Sequence, residues 1–362
     1  MADHDGWMLY GASGYTGVLL AEEAARRGMR PLLAGRNEGK LRPLAERLNL
    51  PFVAVGLEDA AALRRSVEGL RAVLHAAGPF VDTSAPMVRA CLDAGAHYLD
   101  LTGEPAVFRQ VFAAGEEAKA RGICLISGVG FDVVPSDCLA RYVSQQVPGT
   151  QRLEIALAMI GRPSPGTVKS FLGMLPSGAW VRRGGRLRRI PFGSGMRQVR
   201  FPERSAWVVP MELADLETAY RSTGAGDITV MTTLPGSLVR WLRIGWPAAA
   251  AGLALARPLL RSRAFQERAR RWAEANVSGA DQARRARTRT FVWARAEGGG
   301  RSKEAWLECP DGYDFTSHAA LNAVRAVLER APAGATTPAL AFGADFTLAV
   351  PGTRRLDALP PP

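Results

Sequence analysis

Trp7-Met8-Leu9-Tyr10-Gly11-Ala12-Ser13-Gly14-Tyr15-Thr16-Gly17 is the stretch on which the fold turns. An apolar run leads into glycines spaced three apart. An Ala- and Glu-rich segment of helical character follows, then a second apolar run from Pro31 to Ala34, then Gly35-Arg36-Asn37. The order reads as strand, glycine turn, helix, strand. Gly11 lets the chain leave the strand in a turn that a side chain would block. Gly14 lets backbone come close to a bound group, and Gly17 lets the helix pack against the strand.

The same alternation continues outward. Glu38 to Leu48 reads as a helix, Phe52 to Val55 as a short strand, and Asp59 to Val67 as a helix with Asp59 near its cap. Ala72 to Ala76 is a predicted strand that ends in Ala77-Gly78-Pro79-Phe80. Pro86 to Ala94 is a predicted helix stopped by Gly95, and Ala96 to Leu101 a strand. Glu104 to Arg121 reads as one helix. Ile123 to Ser127 is a further strand, followed by Gly128-Val129-Gly130-Phe131-Asp132. This alternation predicts the α/β class, with a Rossmann-like, doubly wound parallel sheet. Ligands of such sheets bind beyond the carboxyl ends of the strands, where these loops meet.

The pattern changes after Ser144. Leu153 to Ile160 and Ile228 to Leu234 read as strands, Gly166 to Pro176 as helix-like, and Gly184-Gly185 as a hairpin or loop. Arg284 to Ala296 and Lys303 to Glu308 flank a Gly298-Gly299-Gly300 turn. These signals predict a second, α+β domain with a mixed or antiparallel sheet, covered by helices around residues 237–275. Thr316 to Leu328 reads as a long closing helix. The expected division is residues 1–140, 141–310 and a closing segment, 311–350.

The first crossover also carries a chemical signal. Free N–H groups at the helix start, with the helix dipole, attract phosphates. The spacing is G-x-x-G-x-x-G, not the G-x-G-x-x-G of many NAD sites. NAD-preferring sites place Asp or Glu at the end of the second strand to hold the ribose 2′-hydroxyl. Here Arg36 and Asn37 stand there, with Lys40 one helical turn on. Positive charge in place of a carboxylate suits a 2′-phosphate, so the expected cofactor is NADP(H).

Composition narrows the rest. A chain of 362 residues, 47% hydrophobic and 22% charged, has the length for two domains and the balance of an ordinary soluble globular protein. Cys91, Cys124, Cys138 and Cys309 form no C-x-x-C pair, and His4, His75, His97 and His318 show no ligand spacing. No metal site or disulfide framework is expected, and a reducing, cytoplasmic location fits. The net charge of +12 comes without any nucleic-acid module, so nucleic acid is not an expected partner. The first ten residues do not read as a signal peptide. Ile244 to Ala256 is almost wholly apolar, between Arg240, Arg243, Arg257, Arg261 and Arg263. It is too short to span a bilayer and reads as a buried helix, with peripheral membrane contact as the alternative.

The sequence resembles the saccharopine dehydrogenase-like oxidoreductases and, within them, the trans-acting enoyl reductase branch. The likeness rests on residues 10–17, Ala34-Gly35-Arg36-Asn37, Ala76-Ala77-Gly78-Pro79-Phe80, Tyr98-Leu99-Asp100-Leu101-Thr102-Gly103-Glu104 and residues 130–137. It continues through residues 218–224 and Asp311-Gly312-Tyr313. The resemblance implies a nucleotide-binding domain, a substrate domain, and a carboxyl-terminal helix that returns to the first domain. Carried over, Gly11, Ala12, Ser13, Gly14, Tyr15, Thr16 and Gly17 would hold the pyrophosphate, and Arg36 with Asn37 the 2′-phosphate. Ala76, Ala77, Gly78 and Pro79 would line the adenosine and ribose path. Gly130, Phe131 and Asp132 would lie near the nicotinamide.

Hydride transfer to an enoyl group also needs a stabilised oxyanion and a proton source. No tyrosine in the chain has a lysine four residues later, which disfavours the Tyr-x-x-x-Lys mechanism. The catalytic candidates are Asp132, Ser136, Lys169 and Tyr220, with helix capping the simpler role for Ser136 or Asp137. Three functions fit. One is NADPH-dependent reduction of an enoyl or keto group on a hydrophobic acyl, polyketide-like substrate, free or carrier-bound. The second is saccharopine-type chemistry at a C–N bond of an amino-acid-derived substrate, with Arg182, Arg183 or Arg221 on its carboxylates. The third is a non-catalytic protein that retained the cofactor. The sequence also leaves room for a homodimer.

Overall fold

Strand β1 (Trp7–Tyr10) is buried along its whole length, and its alternate side chains feed two different cores. Trp7 and Leu9 pack with Leu20, Ala21 and Ala24 of helix α1 (Tyr15–Arg26) and with Leu41 and Leu44 of helix α2 (Glu38–Leu48). Met8 and Tyr10 pack with Leu63 and Val67 of helix α3 (Ala60–Val67) and with Met87 and Cys91 of helix α4 (Phe80–Ala94). Period-two alternation in a strand covered on both faces requires this double core.

In this computed structural model the described residues are 4–159, 179–233 and 288–359, with Ser262, Phe265, Glu267 and Arg268. They form two compact units. The first comprises Met1–Cys138 and Gly312–Pro351, the second Leu139–Asp311 and Gly352–Pro362.

The first unit adds strands β2 (Leu32–Gly35), β3 (Phe52–Ala54), β4 (Ala72–His75), β5 (His97–Asp100) and β6 (Cys124–Ile126). Helices α5 (Pro105–Ala113) and α6 (Gly115–Ala120) join the last two strands, and helix α7 (Val134–Gln145) follows β6. The sheet order is β15 (Gly334–Thr336), then β6-β5-β4-β1-β2-β3, with every pair parallel. The expected doubly wound α/β sheet is therefore present. Its seventh strand was not expected: β15 is the three-residue Gly334–Thr336, which pairs with β6 from far along the chain. The helix Gly312–Glu329 packs Ala320, Leu321 and Val324 into the core shared with α1, and Arg27 donates to Asn322 Oδ1 at 2.8 Å.

Three boundaries differ from expectation. Helix α4 starts at Phe80, not Pro86, because a distant carboxylate finishes its first turn. The run from Glu104 breaks at Ala114 into α5 and α6. The closing helix begins at Gly312 rather than Thr316.

In the second unit, β7 (Arg152–Met159) lies parallel to β12 (Asp227–Thr233). Around this pair run β8 (Ala179–Arg183), β9 (Arg186–Ile190), β10 (Arg197–Arg200), β11 (Ser205–Pro210), β13 (Thr290–Gly298), β14 (Arg301–Cys309) and β16 (Arg354–Leu356). All of their other pairings are antiparallel, so the sheet is mixed, as the hairpin signals implied. Ala156, Met231, Phe291, Trp293 and Trp306 form its core with Phe201 and Val208. No helix among the described residues is long and apolar enough to cross a membrane. Ile244–Ala256 and Gly166–Pro176 lie outside the described residues.

Candidate cofactor site

The chain reverses its direction of growth at β1, which lies between β4 and β2. Loops after β1 and β4 diverge at such a point and leave a crevice. The glycine turn sits there. Gly11 has φ +84°, and a Cβ on it would fall 2.8 Å from the Ala77 backbone N and 2.9 Å from the Ala76 carbonyl carbon. A Cβ on Gly17 would fall 2.1 Å from the Gly11 carbonyl oxygen. Any side chain at Gly17 would push the start of α1 off the turn. The turn itself is closed by the Gly14 N–H donating to the Gly11 carbonyl at 3.0 Å.

Gly14 is the N-cap of α1. The cap residue makes no side-chain hydrogen bond to the first turn, and no acid stands in that turn. The next three helices on the same sheet are finished differently. Asn37 Oδ1 accepts from the Lys40 N–H in α2, at 3.1 Å, and Asp59 Oδ1 from the Ala62 N–H in α3, at 2.8 Å. For α4 the oxygens come from another loop. Both carboxylate oxygens of Glu104 accept from the Phe80 and Val81 N–H groups, at 3.0 and 2.9 Å. The start of α1 thus keeps donors and positive dipole for an anion.

Arg36 and Lys40 are exposed at the end of β2, and Arg36 has no hydrogen bond or ion pair among the described residues. Asn37 spends its side-chain oxygen on the α2 cap, which leaves its NH2 group, with Arg36 and Lys40, as donors for a 2′-phosphate. Tyr10, beneath this region, donates to the Val55 carbonyl, and burial pushes its hydroxyl up to about 12.

The far side of the crevice is held by a relay that sequence reasoning missed. Asp100, at the end of β5, is fully buried. Its Oδ1 accepts from the Thr102 and Gly128 N–H groups, each at 2.9 Å, and its Oδ2 from the Ser127 hydroxyl at 2.8 Å. Thr102 Oγ1 accepts from the Glu104 N–H, and Glu104 then caps α4. Burial raises the Asp100 carboxyl to about 6, against these donors, which lower it. The spacing Asp-x-Thr-x-Glu was the available signal, since side chains of Asp and Thr bond two residues on. Beside the relay, the loop from Ala76 to Pro79 contains a cis Gly78–Pro79 peptide. Thr83 Oγ1 donates to the Ala77 carbonyl at 2.6 Å and lies 3.0 Å from His75 Nε2. Burial lowers His75 to about 3, so it stays neutral.

The loop after β6 is fixed in turn. The Phe131 N–H donates to Thr316 Oγ1 at 3.0 Å, and a Cβ on Gly130 would fall 3.0 Å from the Thr316 methyl carbon. Asp132 is exposed and rests against Gly103. Ser136 is fully buried, its hydroxyl donating to the Val133 carbonyl at 3.0 Å, and so turns inward. Asp137 accepts from the Ala339 N–H. The structure brings together Gly11–Gly17, Arg36–Lys40 and Ala76–Pro79 on loops at the carboxyl ends of β1, β2 and β4; Gly130–Asp132 follows β6 in the same unit. Tyr220 belongs to the second unit, with the Arg182 guanidinium stacked 4.1 Å from its ring. Lys169 lies outside the described residues.

Strand order, glycine turn and uncapped α1 define a dinucleotide-binding domain of Rossmann type. Residues 7–126 match the family described as the saccharopine dehydrogenase NADP binding domain. The chain therefore carries that domain, and its cofactor is NADP(H). A mouse saccharopine dehydrogenase-like oxidoreductase is 30% identical over 163 residues, 40% of this chain and 38% of the relative. A trans-acting enoyl reductase of Mycobacterium ulcerans is 33% identical over 138 residues, 36% of this chain and 33% of the relative. The matched part thus spans well under half the length of these relatives. A saccharopine dehydrogenase (L-Glu forming) from Saccharomyces cerevisiae shares the fold, with TM-score 0.64 at 12% identity, covering 97% of this chain and 99% of that one.

Proposed function

We propose that the chain is an NADPH-dependent oxidoreductase that reduces an enoyl or keto group on a hydrophobic acyl substrate. The observation that carries the cofactor half is the pairing of an α1 start that has no side-chain cap and no acid with an exposed Arg36 that has no ion pair among the described residues. Bound NADPH supplies the hydride. The backbone from Gly11 to Gly17 holds the pyrophosphate, Arg36 the 2′-phosphate, and Ala76 to Pro79 flank the ribose path. The loop of Gly130, Phe131 and the exposed Asp132 would meet the nicotinamide end of the bound cofactor, where Asp132 would orient ribose or substrate.

The acyl reading is supported by the likeness to a trans-acting enoyl reductase and by what has become of the candidate carboxylate-binding arginines. Arg182 is buried and fully engaged: Nε donates to the Leu216 carbonyl, Nη1 to the Gly185 carbonyl and Nη2 to Glu217 Oε2. Arg183 donates to the Arg182 carbonyl and to Thr229 Oγ1. Arg182, with Glu217 on its charge, is not held ready for an amino-acid carboxylate, as the C–N reading would ask of it; Arg183 and Arg221 are exposed. The test is NADPH consumption on a panel of enoyl and keto acyl thioesters against keto acids supplied with amines. Turnover on the thioesters alone is the expected result; turnover on the keto acid and amine pairs alone contradicts the substrate assignment.

A further inference from the structure

The hairpin β8–β9 breaks a charge rule that the neighbouring strands obey. Across β7, β13 and β14, Glu154 lies opposite Arg295, Arg152 opposite Glu297, and Arg295 opposite Glu304. In the hairpin, Arg183 lies directly opposite Arg186. Like charges in that position destabilise a strand pair. Arg188 follows on the same face, opposite Val181, and Arg189 points to the other face. Arg186, Arg188 and Arg189 are all exposed, and none has a hydrogen bond or ion pair among the described residues. From Arg182 to Arg204 the sequence holds eight arginines and one carboxylate, Glu203; Arg182 and Arg197 are paired with Glu217 and Glu154 from outside this stretch.

Two further features accompany this charge. Strand β9 pairs with β8 alone, so its outer edge is a sheet edge among the described residues. A groove of about 340 Å³ opens beside it, lined by Val181, Arg183, Ile190, Thr229 and Met231 and by the paired Glu154 and Arg197. Charge can also guard an edge strand against self-association. Arg188 alone would serve that purpose, without the cost of setting Arg183 against Arg186.

We propose that the β8–β9 hairpin docks an acidic, extended segment of a protein partner. Carboxylates of the partner relieve the Arg183–Arg186 repulsion and meet Arg188, and an apolar side chain enters the groove. An edge strand beside a side-chain groove is the geometry of strand addition. A lipid surface fits less well, because among the described residues the one large exposed hydrophobic side chain at the hairpin is Tyr220, and it is stacked on the Arg182 guanidinium. The inference is independent of the cofactor and substrate assignments.

The test uses the full chain and fluorescence anisotropy with a labelled peptide of alternating Glu and Val. A Gln-Val peptide and phosphatidylserine-containing vesicles are the comparison probes. The double variant R186E/R188E is compared with R325E/R330E, which changes the charge equally at exposed sites elsewhere. The wild type should bind the Glu peptide and not the Gln peptide. R186E/R188E should weaken binding by about tenfold or more, and R325E/R330E by about twofold at most. R186E alone should raise Tm by about 1–3 °C, since a carboxylate then faces Arg183. Absence of peptide binding, equal weakening by both double variants, vesicle binding in place of peptide binding, or a fall in Tm would each overturn the proposal.

Discussion

Helices α1 and α4 begin beside one another, at the ends of adjacent strands β1 and β4, yet their first turns are completed in opposite ways. At α4 the chain supplies its own anion: Glu104 reaches back across more than twenty residues to take the Phe80 and Val81 N–H groups. At α1 it supplies none, and Gly11 and Gly17 strip the turn of side chains. Every helix start carries some positive dipole. What suits one of them to a phosphate is that no side chain caps it, no acid stands in its first turn and its approach is bare backbone. The two starts are coupled, because the relay that closes α4 also fixes the loop opposite the glycine turn.

The contrast can be broken most sharply at Gly17. Gly17→Val should lower NADPH affinity by at least about 100-fold, on the order of 3 kcal/mol, since its Cβ overlaps the Gly11 carbonyl. Calorimetry with circular dichroism as the folding control checks this; wild-type affinity in the variant would mean that the α1 start is not the anion site. Next in size is Asp100. Asp100→Asn should cost about 1–3 kcal/mol in chemical denaturation, because an amide cannot accept from all three donors. It should also change the pH dependence. Burial raises the folded carboxyl from 3.8 to about 6. Below this window both folded and unfolded chains hold the proton; within it only the folded chain does. The stability contributed by this group therefore falls as pH rises from 3.8 to about 6 and is level above that. The variant should lose that slope, and an unaltered slope would remove Asp100 from this role. The smallest effect is expected at Glu104. Glu104→Ala should cost about 1 kcal/mol, as for a lost cap, with partial rescue by Glu104→Gln. NADPH affinity should fall only a few-fold, because α1 keeps its donors. A gain in NADPH affinity would show that α4, once freed, is an equal anion site.

Much of the site was legible in local spacing. The glycine turn, the strands on either side of it, and Arg36 at the end of β2 all lie within thirty residues and obey short-range rules of backbone geometry and charge. The relay was not legible in that way. Pro86 reads as a helix start because proline favours the first turn, yet α4 begins at Phe80 because Glu104 supplies the missing acceptors from another loop. Strand β15 is three residues long and carries no alternation to detect; it forms because the edge of β6 is there to receive it. Ser136 and Arg182 show the same limit. Each is a plausible reactive group in sequence, and each proves to be buried with its polar atoms engaged internally. Long-range partners decide these cases, and residue type and spacing do not encode them.

The measurement that bears most directly on the account is the affinity of NADPH and NADH, by calorimetry, for the wild type and for Arg36→Asp. An exposed guanidinium without an ion pair among the described residues should favour the 2′-phosphate by about 10- to 100-fold, and the aspartate should reverse that preference. If neither coenzyme binds at millimolar concentration, or if the ratio is the same in both proteins, the assignment of this crevice and of Arg36 is wrong.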